Sequence, residues 1–188
     1  VAASWLGGLF AFLAGFVIFF FRDPDRRVTG SDRVILSGAD GVVRLIENFA
    51  QDNHLGGPSV RISIFLSAFN VHVNRSPLAG KVTHLQYIPG KKLFAYLDAA
   101  SEYNEHSTIV IEGARIKCLV RQIVGPVARR VVYWLTLGQH VAQGERIGIM
   151  KFGSRMDIHL PADRVNVSVR PGDKVRAGET VVAVVKDL

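Results

Sequence analysis

The sequence predicts a mainly β (α+β) protein: an N-terminal transmembrane helix over residues 1–21, then one β domain with a few short helices. Three observations predict it. Val1 to Phe21 carries no charged side chain. After Arg27 the apolar residues fall into short runs broken by Gly, Pro, Asn and Asp. Those runs are rich in Val and Ile, and no long stripe of period 3.6 follows the first helix. At 188 residues the chain has room for one membrane segment and one modest domain.

The first element follows from length and polarity. At 1.5 Å per residue, a helix of about twenty residues crosses a hydrocarbon core of roughly 30 Å. A cleaved leader fits less well, because Phe19-Phe20-Phe21 runs straight into charge with no small-x-small site. A buried soluble helix fits less well too, since such helices keep a polar face. Asp23-Pro24 ends the helix. Arg22, Arg26 and Arg27 put this flank, and all that follows, on the cytoplasmic side of an inner membrane. Residues 22–33 read as a basic juxtamembrane linker and 34–188 as the β domain. The chain opens on Val1 without an initiator Met, and residues upstream of it are expected.

Strands are expected at Val34–Leu36, Val60–Leu66, Thr108–Ile111, Arg115–Val120 and Val131–Leu137, with a short helix near Leu93–Ala100. A weak internal repeat refines this. Gly138-Gln-His-Val141-Ala-Gln-Gly144-Glu145-Arg-Ile147 shares the frame G-x-x-V-x-x-G-E-x-[IV] with Gly172-Asp-Lys-Val175-Arg-Ala-Gly178-Glu179-Thr-Val181. Two turn glycines bracketing a buried valine suit a tight turn feeding a sheet. Ala39-Asp40-Gly41-Val42-Val43 and Leu78-Ala79-Gly80-Lys81-Val82 read as companion turns. The set resembles the barrel-sandwich hybrid of biotinyl and lipoyl carrier domains, a likeness of fold alone.

Lys+Arg 23 against Asp+Glu 16 gives 23 − 16 = +7. The excess is spread out, with no dense basic block interleaved with aromatics, so nucleic acid is not the expected partner and an anionic inner leaflet is. Cys118 is the single cysteine, which excludes an internal disulfide and a multi-thiolate zinc site. It lies in an apolar alternating run and reads as a small buried hydrophobe. His54, His84, His106, His140 and His159 show no ligand-like spacing and read as surface or packing residues, so no metal is expected.

The chemistry-bearing stretch is Met150-Lys151-Phe152-Gly153-Ser154-Arg155-Met156-Asp157. A serine hydroxyl can attack the preceding carbonyl only if the backbone bends into a five-membered ring, and glycine tolerates the angles that this needs. A Gly-Ser pair alone carries little. In order along the chain it has company: Phe20-Phe21-Arg22-Asp23-Pro24, then Ser37-Gly38-Ala39-Asp40-Gly41, then Phe65-Leu66-Ser67-Ala68-Phe69-Asn70-Val71-His72-Val73-Asn74-Arg75-Ser76-Pro77. Together, over nearly the whole chain, these resemble the phosphatidylserine decarboxylase proenzymes of the short bacterial and archaeal type.

That resemblance implies a carboxy-lyase that cuts its own backbone between Gly153 and Ser154, turns Ser154 into a covalent pyruvoyl cofactor, and converts phosphatidylserine to phosphatidylethanolamine. The ketone is an electron sink for the loss of carbon dioxide. Association of the two cleavage products, and a homodimer of such units, are implied as well. By the same resemblance Asp40 matches an aspartate that assists self-cleavage, and His72 a histidine that protonates the decarboxylated carbanion. Arg75 stands where long forms have a second histidine. Either His72 serves both steps, or an arginine holds the ester oxyanion while Asp40 is the base. Arg75, Lys151 and Arg155 are the cations expected to meet the anionic substrate. Asn104-Glu105 is similar to a further family motif and reads equally as a solvated loop. Two other readings stand beside this one: a carrier domain modified on Lys151, and a membrane-tethered adaptor that never matures.

Overall fold

The computed structural model describes residues 2–28, 30–91, 93–95, 100–126, 130–151 and 153–187. In chain order the elements are α1 (Ala2–Phe20), β1 (Val34–Leu36), β2 (Gly41–Asp52), β3 (Gly57–Leu66), β4 (Val73–Arg75), β5 (Gly80–Ile88), α2 (Ala100–Tyr103) and β6 (His106–Glu112). There follow β7 (Lys117–Ile123), β8 (Val132–Tyr133), β9 (His140–Val141), β10 (Arg146–Ile149), β11 (Ser154–Pro161), β12 (Val165–Val167), β13 (Lys174–Val175) and β14 (Val181–Val185). The protein is mainly β, as its composition predicts.

Eight strands form a curled antiparallel sheet, a half-barrel, in the order β13-β2-β3-β11-β7-β6-β5-β9. Two three-stranded sheets, β1-β14-β12 and β4-β10-β8, complete the fold. The core lies on the face where Ile62 and Ile64 of β3, Met156, Ile158 and Leu160 of β11, and Ile109 and Ile111 of β6 meet Ile35, Ile147 and Val182 of the small sheets. Period-2 alternation puts Arg155, Asp157 and His159 on the opposite face. That face is polar yet buried, because long side chains on neighbouring strands cover one another: Arg155 pairs with Asp157, and Arg61 reaches Glu47.

The internal repeat organises the sheet edges. Gly138, Gly144, Gly172 and Gly178 all have positive φ, the left-handed region that glycine enters without penalty. Val141 and Val175, the repeat valines, are buried in the two-residue strands β9 and β13, which are the two edges of the large sheet. The hydrogen bonds match pair for pair. Val43 N–H donates to Asp173 O as Val82 N–H does to Gln139 O. Gly172 N–H donates to Val43 O as Gly138 N–H does to Val82 O, and Gly178 N–H to Ser37 O as Gly144 N–H does to Ser76 O. Residues 37–43 are thus the counterpart of residues 76–82.

Several expectations differ in detail. The run Val131–Leu137 yields only β8, because Gln139 Oε1 accepts from the Thr136 N–H and turns the chain at Gly138. β7 begins at Lys117 rather than Arg115, since Gly113 N–H closes a turn on Ile116 O. Among the described residues, the few short helices reduce to the single turn α2, and positions 96–99 of the expected Leu93–Ala100 helix lie outside those residues.

Among the described residues no helix is long and apolar enough to cross a membrane, so the crossing expected of residues 1–21 is not established. The 19 residues of α1 rise about 28 Å, just under the roughly 30 Å of a hydrocarbon core. Its surface is nevertheless apolar all round, with Trp5, Phe10, Phe12 and Ile18 exposed.

Candidate active site

Two connections carry the residues of interest, and strand pairing sets them side by side. β3 pairs antiparallel with β11, Leu66 opposite Ser154. β4 pairs antiparallel with β10, Val73 opposite Ile149. The chain therefore passes between the same two sheets twice, once through residues 67–72 and once through residues 150–153. Met150 N–H donates to His72 O (3.2 Å) and ties the two connections together. The connection that carries His72 and the one that leads into Ser154 run side by side for this topological reason.

Gly153 has φ +66, and a Cβ built there would meet nothing within 4 Å. Its constraint is backbone angle, not space. The Gly153 carbonyl is packed from the other side by Gly125, where a Cβ would lie 2.3 Å from Gly153 O. Ser154 is fully buried, and its hydroxyl donates to Lys151 O across the turn (2.9 Å). Lys151 is half-buried in that turn, and Phe152 lies outside the described residues.

His72 is 0% exposed. Its Nδ1 is 2.9 Å from Asn70 O. A carbonyl can only accept, so Nδ1 carries the proton and Nε2 presents its lone pair. Nε2 is buried without a hydrogen-bond partner among the described residues. Burial pushes the imidazole below its ordinary pKa, and nearby Arg22 adds to this; the Asn70 bond and the Asp40 charge act against both. The result is a neutral ring with an open basic nitrogen.

Asp40 sits at the far end of the Ser37–Gly41 turn, which Ser37 Oγ closes on Ala39 O (2.6 Å) as Ser76 Oγ does on Leu78 O (2.6 Å). Its carboxylate takes both oxygens to Arg26 (2.9 and 3.0 Å) and accepts the Ala177 N–H (2.8 Å). The counterpart position in the other half is Ala79, so the turn itself does not require a carboxylate. Gly38 O accepts from Arg75 N–H (2.9 Å), and a Cβ on Gly38 would strike Met156 Sδ at 2.5 Å, so this turn packs against both β4 and β11.

The remaining expected cations are engaged within the protein. Arg75 donates to Gly144 O (3.0 Å), Asp23 Oδ1 (2.7 Å) and Pro24 O (3.3 Å). Arg155 pairs with Asp157 (2.9 and 3.0 Å) and reaches Ala95 O (3.4 Å). Residues 22–28 are accordingly strapped to the domain: Asp23 also pairs with Arg146, and Arg26 with Glu179.

Residue-by-residue reading of the sequence did not single out Arg26, Gly125, Asn70 or Phe20 for the site. Asn104 and Glu105, half read as a solvated loop, are buried. Asn104 brackets Leu93 through both N–H and C=O and donates to Val124 O (2.8 Å), next to Gly125. Glu105 accepts the Val131 N–H (3.3 Å). The Val124-Gly125-Pro126 run was the available signal for a close backbone approach. Cys118 is fully buried and burial pushes its thiol up, as expected of a packing residue.

The family model described as Phosphatidylserine decarboxylase matches residues 13–183. A Symbiobacterium thermophilum protein called Phosphatidylserine decarboxylase proenzyme is 45% identical over 179 residues, 94% of this chain and 82% of that protein. Proteins of the same name from Carboxydothermus hydrogenoformans and Erythrobacter litoralis are 43% and 46% identical, over 97% and 92% of this chain and 85% and 74% of theirs.

Proposed function

This chain belongs to the phosphatidylserine decarboxylase family, and from that premise we propose that it is a self-cleaving carboxy-lyase that converts phosphatidylserine to phosphatidylethanolamine. The observation that carries the proposal is the turn at Gly153 and Ser154. A left-handed glycine precedes a fully buried hydroxyl, and an imidazole with an open nitrogen lies on the adjoining connection.

In self-cleavage the Ser154 Oγ–H proton passes to His72 Nε2 as Oγ bonds to the Gly153 carbonyl carbon, and the Gly153–Ser154 amide becomes an ester. Loss of the Gly153 carboxylate by β-elimination, then hydrolysis with release of ammonia, leaves a pyruvoyl group at position 154. Asp40, fixed by Arg26 and Ala177, supplies the negative charge that offsets the imidazolium formed on His72. Arg75 and Arg155 act as braces of the two connections, and Lys151 is the cation nearest the reacting turn.

The residues fit the group. Position 154 opens β11 opposite Leu66 of β3, and β7 joins from Arg155, so a cut there leaves the new chain end at the start of a strand that the sheet holds on both sides. That pairing also supports lasting association of the two pieces, residues up to 153 and from 154 onward. When formed, the ketone serves as an electron sink for carbon dioxide loss. His72 then returns a proton to the substrate carbon. Pairing of two such units as a homodimer rests on the resemblance alone.

We further propose that α1 embeds its apolar surface in the cytoplasmic leaflet of the inner membrane, where a diacyl substrate resides. Its exposed Trp5, Phe10, Phe12 and Ile18, followed by Arg22 and Arg27, support this. Intact mass spectrometry tests the central claim. Two pieces meeting at 153/154 are expected, the second lighter by one ammonia than a piece that begins with an intact serine. A single full-length mass in a preparation that still releases carbon dioxide from phosphatidylserine overturns it, and an adduct on Lys151 points to a carrier domain instead.

A further inference from the structure

Residues 67–72, the connection that delivers His72, contain one residue that breaks the burial pattern. Leu66, Val71 and His72 are buried, whereas Phe69 is 72% exposed. The loop is not slack. Asn70 Oδ1 accepts from Ser67 N–H (2.9 Å) and Ser67 Oγ (2.8 Å), and Asn70 N–H donates to Ser67 O (3.1 Å). A closed turn therefore holds the aromatic ring outward.

What stands beside that ring decides its partner. Arg22, just past the end of α1, donates to Phe69 O (2.6 Å) and to Phe19 O (2.8 Å), and its guanidinium lies 3.9 Å from the centre of the Phe19 ring. Phe19 and Phe21 are exposed on the same turn, while Phe20 points inward onto His72. Arg22 thus links two exposed phenylalanines, Phe19 through its ring and Phe69 through its carbonyl, and exposed Phe21 adjoins it in the chain. Apolar rings below a cation that can meet phosphate are the pattern of a bilayer boundary, and the patch is continuous with the apolar surface of α1.

We propose that the Ser67–His72 loop is a second bilayer contact, with Phe69 inserted among lipid acyl chains at the level where α1 leaves the membrane. The inference rests on the membrane reading of α1. Its consequence is positional: the loop that enters the headgroup layer is the one that carries His72, so a serine headgroup meets the imidazole without leaving the surface. Loop and helix end move as one unit, because Arg22 bonds both and Phe20 stacks on His72.

Tryptophan fluorescence in the full chain separates this proposal from its premise. With Trp134→Phe, native Trp5 reports on α1. With Trp5→Phe, Trp134→Phe and Phe69→Trp, the one indole reports on the loop. On vesicles of phosphatidylserine and phosphatidylcholine brominated along the acyl chains, quenching of both indoles is expected. Quenching of Trp5 alone overturns the loop contact and leaves the anchor standing. Quenching of neither overturns both. A spectral change of the loop indole that follows protein concentration without vesicles assigns the patch to a second copy and also overturns the proposal. As a functional arm, Phe69→Ser should lower kcat/KM on vesicles about tenfold while leaving self-cleavage and turnover of dispersed short-chain phosphatidylserine unchanged. Equal loss on both substrates is the contrary result.

Discussion

The Phe20 ring stacks on the His72 imidazole, with centroids 4.1 Å apart and planes 31° from parallel. One is the last residue of the N-terminal helix and the other the imidazole with an open nitrogen, and both are shielded from water. Phe20 is one of the side chains that bury His72, and burial lowers its pKa.

A pH profile follows. His72 is depressed below the ordinary imidazole value, so the neutral base persists as pH falls into the range where a free histidine would charge. The acid limb of kcat/KM should therefore lie below that ordinary value. Phe20→Ala admits water to the ring, relieves the desolvation, and should move the limb upward. Stability runs the same way: the unfolded chain binds the proton first, so stability is lost as pH falls from the ordinary imidazole value through the depressed one. An unmoved limb in a folded, self-cleaved Phe20→Ala protein would separate the stacking from the base.

Two glycines should affect self-cleavage by different physics. Gly153→Ala meets no atom, but its left-handed backbone costs an L-residue about 1–2 kcal/mol, which predicts cleavage slowed roughly 5- to 30-fold. Gly125→Ala puts a methyl 2.3 Å from Gly153 O, where the scissile carbonyl must move, and should slow cleavage more. Time courses of the two fragments on a denaturing gel give both rates. The reverse order would show that packing of the carbonyl does not control the step.

How much of this was legible beforehand depended on whether a residue's task was local. The G-x-x-V-x-x-G frame could be read because positive φ demands glycine wherever the turn occurs, and Gly138, Gly144, Gly172 and Gly178 all meet that demand. Strands such as Val34–Leu36 were legible from β-branched runs. Ser154, His72 and Asp40 could be named from motifs, but the side-by-side course of the connections that carry His72 and Ser154 depends on strand pairing, and no local pattern encodes which strands will pair. Arg75 and Arg155 were legible as cations. That the Arg75 guanidinium bonds to Asp23, Pro24 and Gly144 was not, because partners distant in sequence satisfy it.

The half-repeat makes Asp40 testable as more than a turn residue. Asp40→Asn keeps hydrogen-bonding atoms for Arg26 and Ala177 but removes the charge, and is expected to fold and remain largely uncut. Arg26→Met tests whether the carboxylate matters only through its ion pair. If holding Arg26 were its whole task, both variants would lose cleavage equally; if the charge serves His72, Arg26→Met should cleave measurably faster than Asp40→Asn. Gel densitometry and melting temperature together separate loss of cleavage from loss of fold, since breaking a buried pair costs about 3–5 kcal/mol.

Acid stability should depend on a carboxylate far along β2 from the reacting turn. Burial alone would raise the Asp52 pKa, but the His159 ring, 3.1 Å away, and the N–H groups of His54 and Leu55 outweigh it and hold the carboxyl at about 2, against an ordinary 3.8. A depressed acid contributes stability that is fully present above its unfolded value and is lost as the folded carboxylate takes a proton. The window therefore runs from pH 3.8 down to about 2. Urea midpoints measured across it should fall for the wild-type chain and fall less for Asp52→Asn, which has no proton to gain. Parallel curves for the two proteins would mean that other carboxylates govern acid unfolding.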